Sequence, residues 1–442
     1  MNVTADISTL PVAGAKIVLA TVGTLGDLHP FIAIALALKE RGHRPVLAVA
    51  EDHVAKVRAA GIEAVSVLPS FDTIRERMGL GENEAVRRVM SDQTYMLEQV
   101  VLPWLESNTG AIDTVSADAD ALVASLFVFG APTIAEKHGI PLVSVLLQPM
   151  ALLSAYRPPH TPDFWMMKGE PTTRFGVRWN RFAFSMIRSM MRRRYAPAIN
   201  EMRAGHGLSP TGNPCLFDIG PQTALTLCCY SPTFGPLQKD APPHTEVVGF
   251  PQFDSESGAD EAPDPGLAAF LAAGPAPLVF TLGSFAVYAP GNFYAEAAAA
   301  ARRLGQRAVL LTGPGSDMQS DDRILVRAYA PHSTLFDKAL AVIHHGGIGT
   351  TGQALRAGKP QLVVPHMGDQ ADNAHRIGLM GVGRRLLARR FTAERAARTI
   401  AALIDPKRPY IAKAAQIGTI VAAEHGARDA ALAIERLIAT PR

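Results

Sequence analysis

Val342-Ile-His-His-Gly-Gly-Ile-Gly-Thr-Thr-Gly-Gln-Ala-Leu-Arg-Ala-Gly358 decides how the chain is read. Its apolar opening has the character of the end of a buried parallel strand. Glycines and threonines follow. A helical pattern then runs from about Thr350 and stops at Gly358, in the place of a helix C-cap. Strand, glycine-rich turn and helix N-terminus make an anion site: glycine lets a ligand approach the backbone, and free N–H groups with the helix dipole favour a phosphate. A second apolar run, Gln361 to Pro365, delivers His366, Gly368, Asp369 and Gln370 at its C-terminal end. Open α/β sheets bind ligands there. Together these residues describe a site for a nucleotide diphosphate that carries a hydroxylated group.

Outward from this stretch, strand and helix patterns alternate in both directions. Strands are expected at residues 16–22, 45–50, 64–68, 121–127, 141–146 and 223–228 of the first half. In the second half they are expected at 278–282, 308–312, 324–327, 339–344, 361–364 and 383–386. The βαβ rhythm predicts parallel sheets with right-handed crossovers, hence two doubly wound, Rossmann-like α/β domains facing across a cleft. The expected limits are 1–235, a Pro-, Gly- and acid-rich linker at 236–266, and 267–442, with the last helix packing back on the first domain. Helical insertions at 70–118 and 148–220 interrupt the first half. Connections of that length usually carry function, and here they are the natural walls of an apolar pocket.

Composition narrows the classes. The chain has 442 residues, 48% hydrophobic and 19% charged, which is ample for two packed cores and too apolar for disorder. A net charge of +3 gives no support to a nucleic-acid partner. Cys215, Cys228 and Cys229 fit neither a disulfide framework nor a zinc spacing, so buried thiols in a reducing cytoplasm are expected. No leader-like or membrane-spanning run is read. From Arg174 to Arg194, arginines recur at helical spacing opposite Phe175, Phe182, Met186 and Met190. Such a helix either packs on the core or lies on an anionic membrane, so peripheral contact with the inner membrane face stands beside the cytoplasmic expectation.

Gly347, Gly349 and Gly352 form a literal G-x-G-x-x-G with Asp369 downstream, so a dinucleotide-binding oxidoreductase must be weighed. Against it, the motif lies late in the chain, His344 and His345 precede it, and Gln370 stands beside the acid. By strand alternation His345 faces the helix mouth, where an imidazole can stabilise a leaving diphosphate, and His344 faces the core. Ser284 follows the first strand of the second domain and can reach the phosphates. Tyr329 can stack on a base whose edge the Ala330 backbone reads; packing on its own domain is the competing reading. Asp27, in the first strand-to-helix turn, faces the cleft as a candidate general base; its competitors are His29 and an ordinary N-cap role for a helix expected from Phe31, with Pro30 near the first helical position. Gly26, His29, Met150, Phe164 and Trp165 are the candidate acceptor-side residues. Asp118-Ala-Asp120 precedes a strand and reads as a solvated turn, so no metal is expected.

These residues resemble a known family. His345-Gly-Gly-Ile-Gly-Thr-Thr351, Gly358-Lys-Pro-Gln-Leu-Val-Val-Pro365 and Gly368-Asp-Gln-Ala-Asp-Asn-Ala374 are similar to the C-terminal signature of family 1 glycosyltransferases with the GT-B fold. Gly23-Thr-Leu-Gly-Asp-Leu-His-Pro-Phe31 is similar to the N-terminal signature of its bacterial branch, which includes sterol, macrolide and glycopeptide aglycone glycosyltransferases. The resemblance implies an inverting, metal-independent hexosyltransferase without a cofactor. Its donor would be a UDP- or dTDP-sugar such as UDP-glucose or dTDP-rhamnose, and its acceptor a hydrophobic alcohol. It implies that His345, Gly347, Gly349 and Thr350 hold the diphosphate, Asp369 and Gln370 the sugar, and Tyr329 and Ala330 the base. Asp27 would activate the acceptor. Plant members carry a histidine where Asp27 stands and an aspartate where Ser125 stands, so their dyad is absent. They carry a glutamate for the ribose where Gln353 stands; glutamine bonds a hydroxyl without charge. Two readings stay beside this one: a GT-B-like nucleotide-sugar epimerase and a membrane-surface N-acetylglucosaminyltransferase. The oxidoreductase comes third.

Overall fold

The computed structural model describes residues 14–212, 219–255, 257–259 and 264–440. Cys215, the extreme N-terminal residues and part of the acidic stretch read as linker lie outside the described residues. The first sheet has seven strands: β1 (Lys16–Ala20), β2 (Arg44–Ala50), β3 (Glu63–Leu68), β4 (Ala121–Ser125), β5 (Leu142–Leu146), β6 (Thr223–Cys228) and β7 (Thr245–Val247). The second has six: β8 (Leu278–Thr281), β9 (Ala308–Leu311), β10 (Ile324–Arg327), β11 (Ala341–His344), β12 (Gln361–Val363) and β13 (Gly383–Arg385). Every pairing is parallel, in the orders 3-2-1-4-5-6-7 and 10-9-8-11-12-13. The central strands are buried on both faces, which is why they read as unbroken apolar runs.

Strand order reverses between β1 and β4 in one sheet and between β8 and β11 in the other. A crevice opens beyond the carboxyl ends of the strands at such switch points. The turns after β8 and β11 carry Ser284 and His345, and Asp27 stands in the first turn of the helix that follows β1. The topology thus sends the candidate residues of both domains to ligand-binding crevices.

Two elements differ from the sequence expectation. The first helix runs Leu25–Glu40, not from Phe31. Thr24 and Asp27 start it as a capping box, and Pro30 sits in the second turn, where it forgoes one bond back to the first turn. Residues 245–247, inside the stretch read as linker, form β7 on the edge of the first sheet. Three residues between proline-rich turns are too few for periodicity to reveal.

One apolar cluster joins Leu146, Tyr230 and Phe234 of the first half to Phe250 and to Leu355, Val363 and Ile377 of the second. The last helix, Gly426–Ala439, leaves the second domain and packs Ala430, Ala431 and Ile434 into the first domain's core. There Glu435 accepts two hydrogen bonds from Arg41, at 2.7 and 2.6 Å, and pairs with His43 at 2.9 Å. The 148–220 insertion contains a 32-residue helix, Arg174–Gly205. The 70–118 insertion includes a single π-helical segment, Met96–Val101, a form that recurs at functional sites.

Candidate active site

On the first domain, the site begins where β1 ends. Asp27 is the third residue of helix 25–40, and its Oδ2 accepts from the Thr24 backbone N–H at 3.0 Å. Gly23 has φ +149, and a Cβ there would lie 2.3 Å from Asp27 Oδ2. Only glycine leaves room for the carboxylate in this turn. The side chain is part-exposed but crowded by protein; burial lifts its carboxyl to about 6, against the Thr24 hydrogen bonds, which lower it. The capping role and the cleft-facing role thus belong to the same group. His29 lies edge-on to Phe253, 5.4 Å between ring centres, with its Nε2 buried and without a hydrogen-bond partner among the described residues. Burial, with Lys56 adding to it, holds that imidazole at about 3.

On the second domain, His345 opens the turn after β11, its ring between Gly283 and Gly347. A Cβ on Gly283 would lie 2.4 Å from its Cε1, and one on Gly347 would lie 2.4 Å from its Nε2. Burial, reinforced by His344, His366 and His332, keeps His345 well below the usual histidine range and therefore neutral. His344 faces the other way, as strand alternation predicts. It is fully buried, pairs with Gln361 Oε1 at 2.9 Å and accepts from Gly346 N at 3.1 Å. Helix Ile348–Arg356 starts after Gly347, two residues earlier than the sequence suggests. Its early residues Gly349, Thr350 and Thr351 crowd the mouth with small groups, and nothing stands within 4 Å of a Cβ on Gly349. Ser284 and Gln353 are both part-buried on this side.

Asp369 stands at the N-cap position of the next helix, Gln370–Met380, without a side-chain capping bond, so a second helix N-terminus lies beside the first. Asn373 ties the two together, donating to Asp369 Oδ2 at 2.7 Å and to Gly346 O at 2.9 Å. Gln370 accepts from His366 N at 2.8 Å and Met367 N at 3.1 Å, so its oxygen shapes the loop that precedes it. The Tyr329 hydroxyl bonds Asp254 at 3.1 Å, which also caps Ser333 N at 2.6 Å, and Ala330 is buried with its backbone at the strand end. Asn373 and Asp254 are contributors that sequence reasoning passed over; the i+4 spacing of Asn373 to Asp369 and the place of Asp254 after the Gly-Phe-Pro turn were the available signals.

The two halves meet electrostatically. Burial lifts the Asp369 carboxyl to about 7, against the Asn373 hydrogen bond, and the charges of Asp27 and Asp372 add to the rise. A carboxylate of the first domain is therefore felt by one of the second. An apolar pocket opens beside the Asp27 turn, lined by Val22, Gly23, Phe71, Met96, Phe127 and Phe129 among others. Its outer wall comes from the 70–118 insertion. The residues singled out from the other insertion are placed differently. Phe164 packs on Phe184, 6.1 Å between ring centres, Met150 lies part-buried in the turn after β5, and Trp165 projects into solvent. Gly26 is the second residue of helix 25–40, where a Cβ would lie 3.7 Å from the Thr24 hydroxyl. Asp118 pairs with Lys16 and lies 3.6 Å from Arg44, at the amino end of the sheet and away from the cleft. Among the described residues, no group of three or more His, Cys, Asp or Glu is arranged to hold a metal ion.

The third glycine of the G-x-G-x-x-G departs from the dinucleotide-binding pattern. In that pattern it serves close helix–strand packing. Here a Cβ on Gly352 would lie 2.8 Å from the Phe250 ring, so the glycine admits the segment that joins the domains.

Comparison with known proteins agrees. Residues 17–156 match the glycosyltransferase family 28 N-terminal domain, and residues 316–437 match the C-terminal domain of erythromycin biosynthesis protein CIII-like chains. The chain is 31% identical to the vancomycin aglycone glucosyltransferase of Amycolatopsis orientalis, over 83% of this chain and 85% of that one. It is 31% identical to the O-mycaminosyltylonolide 6-deoxyallosyltransferase of Streptomyces fradiae, over 95% and 97%. The solved glycosyltransferase VinC in complex with dTDP superposes with a TM-score of 0.64 at 18% identity, over 96% and 99% of the two chains. With its two Rossmann-like sheets, its facing switch points and these relatives, the chain belongs to the family 1 GT-B glycosyltransferases of the bacterial, antibiotic-type branch.

Proposed function

We propose that the protein is an inverting, metal-independent hexosyltransferase. It transfers a sugar from a UDP- or dTDP-sugar, with UDP-glucose and dTDP-rhamnose the first donors to try, to a hydroxyl of a hydrophobic acceptor. One observation carries the reading: Asp27 with an apolar pocket on one domain faces a glycine-walled helix mouth with His345 and Asp369 on the other.

The acceptor lies in or across the apolar pocket with its hydroxyl at Asp27. That carboxyl, lifted to about 6, is ionised at neutral pH yet basic enough to take a proton, which suits a general base. The acceptor oxygen attacks the anomeric carbon from the face opposite the diphosphate. The bond from that carbon to the phosphate oxygen breaks as the new C–O bond forms, and charge develops on the sugar as an oxocarbenium-like species. The leaving diphosphate takes the electron pair at the N-terminus of helix 348–356, where backbone N–H groups and the helix dipole stabilise it. Neutral His345 can donate one hydrogen bond there. Asp369 and Gln370 hold the sugar hydroxyls, Gln353 the ribose, and Tyr329 with the Ala330 backbone the base. Ser284, across from His345, adds a donor. His29 is a poor rival base, since its imidazole is held at about 3 with its Nε2 enclosed.

The dTDP in a solved structural neighbour supports a thymidine or uridine diphosphate donor. The pocket's lining supports an apolar acceptor, such as a hydroxy-fatty acid, a polyketide or a sterol. Within the family, Leu152-Leu-Ser-Ala155, Arg157-Pro-Pro-His160, Ala196-Pro-Ala-Ile-Asn200 and Gly249-Phe-Pro-Gln-Phe-Asp254 resemble the rhamnosyltransferase chain of rhamnolipid synthesis, which makes hydroxy-fatty acids the first acceptors to test.

The test is incubation with each donor against a panel of hydroxy-fatty acid, sterol and polyketide acceptors, following nucleotide diphosphate release and glycoside mass. Acceptor-dependent release that persists in EDTA and yields the inverted anomer is expected. Absence of acceptor-dependent release with every pair overturns the reading.

A further inference from the structure

One exposed surface is not used by this chemistry. On helix 174–205, Phe175, Phe182, Met186 and Met190 are 70, 56, 48 and 61% exposed, and Trp165 in the preceding turn is 80% exposed. At 100° per residue the four helical side chains fall within an arc of about 80°, along roughly 22 Å of helix axis. Trp179 connects the turn to the stripe: its Nε1 donates to Met166 O at 2.9 Å and its ring lies 6.1 Å from Phe182. Large apolar side chains rarely stand so far out of a soluble fold without a partner.

The charges around the stripe say which partner. From Pro171 to Asn200 there is no Asp or Glu, while Arg178 and Arg193 are exposed on or beside the same face and Arg174 is exposed in the helix's first turn. The nearby exposed acids are Asp163 and Glu170 in the preceding turn, Glu170 pairing with Arg157 at 3.1 Å, and Glu201 beyond the far end of the stripe. Among the described residues no helix is long and apolar enough to cross a membrane. A second copy of the chain is a poor occupant, because pairing two such faces would oppose their arginines. An apolar stripe edged by arginine is the pattern of helices that lie in an anionic lipid interface.

We propose that this face docks the protein peripherally on an anionic lipid bilayer. The inner side of the same helix carries Tyr195, Ile199 and Met202, which pack with Leu105 and Phe129, two residues that also wall the pocket beside Asp27. Docking would therefore hold that pocket near the lipid surface. The docking itself does not depend on the glycosyltransferase reading.

Flotation with vesicles of phosphatidylcholine, alone or mixed with phosphatidylglycerol, tests it without any turnover. Binding to the mixed vesicles about tenfold or more above the neutral ones is expected, weakening as salt is raised. Two double variants, Phe182→Ser with Met186→Ser and Arg174→Glu with Arg178→Glu, should each abolish binding while keeping the wild-type unfolding midpoint, because all four positions are exposed. No vesicle binding by the wild type overturns the proposal. So does binding that both variants retain, or a concentration-dependent dimer, seen by light scattering, that the apolar variant abolishes.

Discussion

Asp27 has two duties that constrain each other. As the third residue of helix 25–40 it accepts from Thr24, and as a wall of the cleft it is crowded enough for burial to lift its carboxyl from 3.8 to about 6. The folded chain therefore binds more protons than the unfolded chain between those two values, so stability is lost as pH rises through that window. Asp27→Asn removes this loss and can still cap the helix. At neutral pH the variant should melt higher, by about 1–2 kcal/mol, somewhat less than a two-unit shift represents because the side chain keeps some water. Scanning calorimetry of both forms checks this. For the wild type, kcat/KM should rise with pH through about 6 and level off above it, since the ionised carboxyl is the active form. At this scale the place of the candidate base was legible: an acid at a strand-to-helix junction with glycine two residues before the helix. Its capping duty was assigned to the wrong helix start, because Pro30 looked like a first-turn proline and in fact sits in the second turn.

The decisive element is helix 348–356. Its glycine-rich start was plain in the sequence, since small residues between an apolar strand and a helical pattern leave the backbone N–H groups open to a ligand. The use of Gly352 was not, because what it touches, Phe250, lies about a hundred residues earlier and is brought there only by the join between the domains. Gly352→Ala places a methyl 2.8 Å from that ring. Overpacking of this kind costs about 1–3 kcal/mol, offset in part by the roughly 1 kcal/mol better helix propensity of alanine. The expected outcome is a lower unfolding midpoint and a raised donor KM, because the shifted helix carries the diphosphate site with it. Both insertions read as pocket walls, but the lining residues beside Asp27 were illegible for the same reason as Phe250: the apolar faces of the 70–118 segments show no preferred neighbour until the chain is folded, and the residues named in advance came from 148–220.

At the scale of the molecule, element order alone predicted two parallel sheets, and with them two switch points. The return of the last helix to the first domain was read as well, but the side-chain pairs that lock the two halves together were beyond reach. Asp372 and Arg376, both buried in the second domain, pair at 2.6 Å. Asp372 also accepts from the backbone N–H of His160 at 2.9 Å, and the His160 ring stacks on His375 at 4.0 Å. The 148–220 insertion of the first domain is thereby pinned to the helix whose N-cap position Asp369 holds. Asp372→Ala leaves the arginine charge buried without its carboxylate, and a cost of about 3–5 kcal/mol is expected in denaturant unfolding. Glu394→Ala, which breaks the exposed 2.7 Å pair with Arg398, should change stability by no more than about 0.5 kcal/mol and serves as the control.

The central claim is that a base on one domain acts on a donor held by the other, so binding and transfer must separate. The direct measurement is donor calorimetry and acceptor-dependent nucleotide diphosphate release, side by side, for the wild type and Asp27→Asn. Unchanged donor affinity with transfer lowered by about 10²–10⁴-fold is predicted. Donor affinity that collapses in Asp27→Asn, or transfer that persists at the wild-type rate, would contradict this division of labour between the domains.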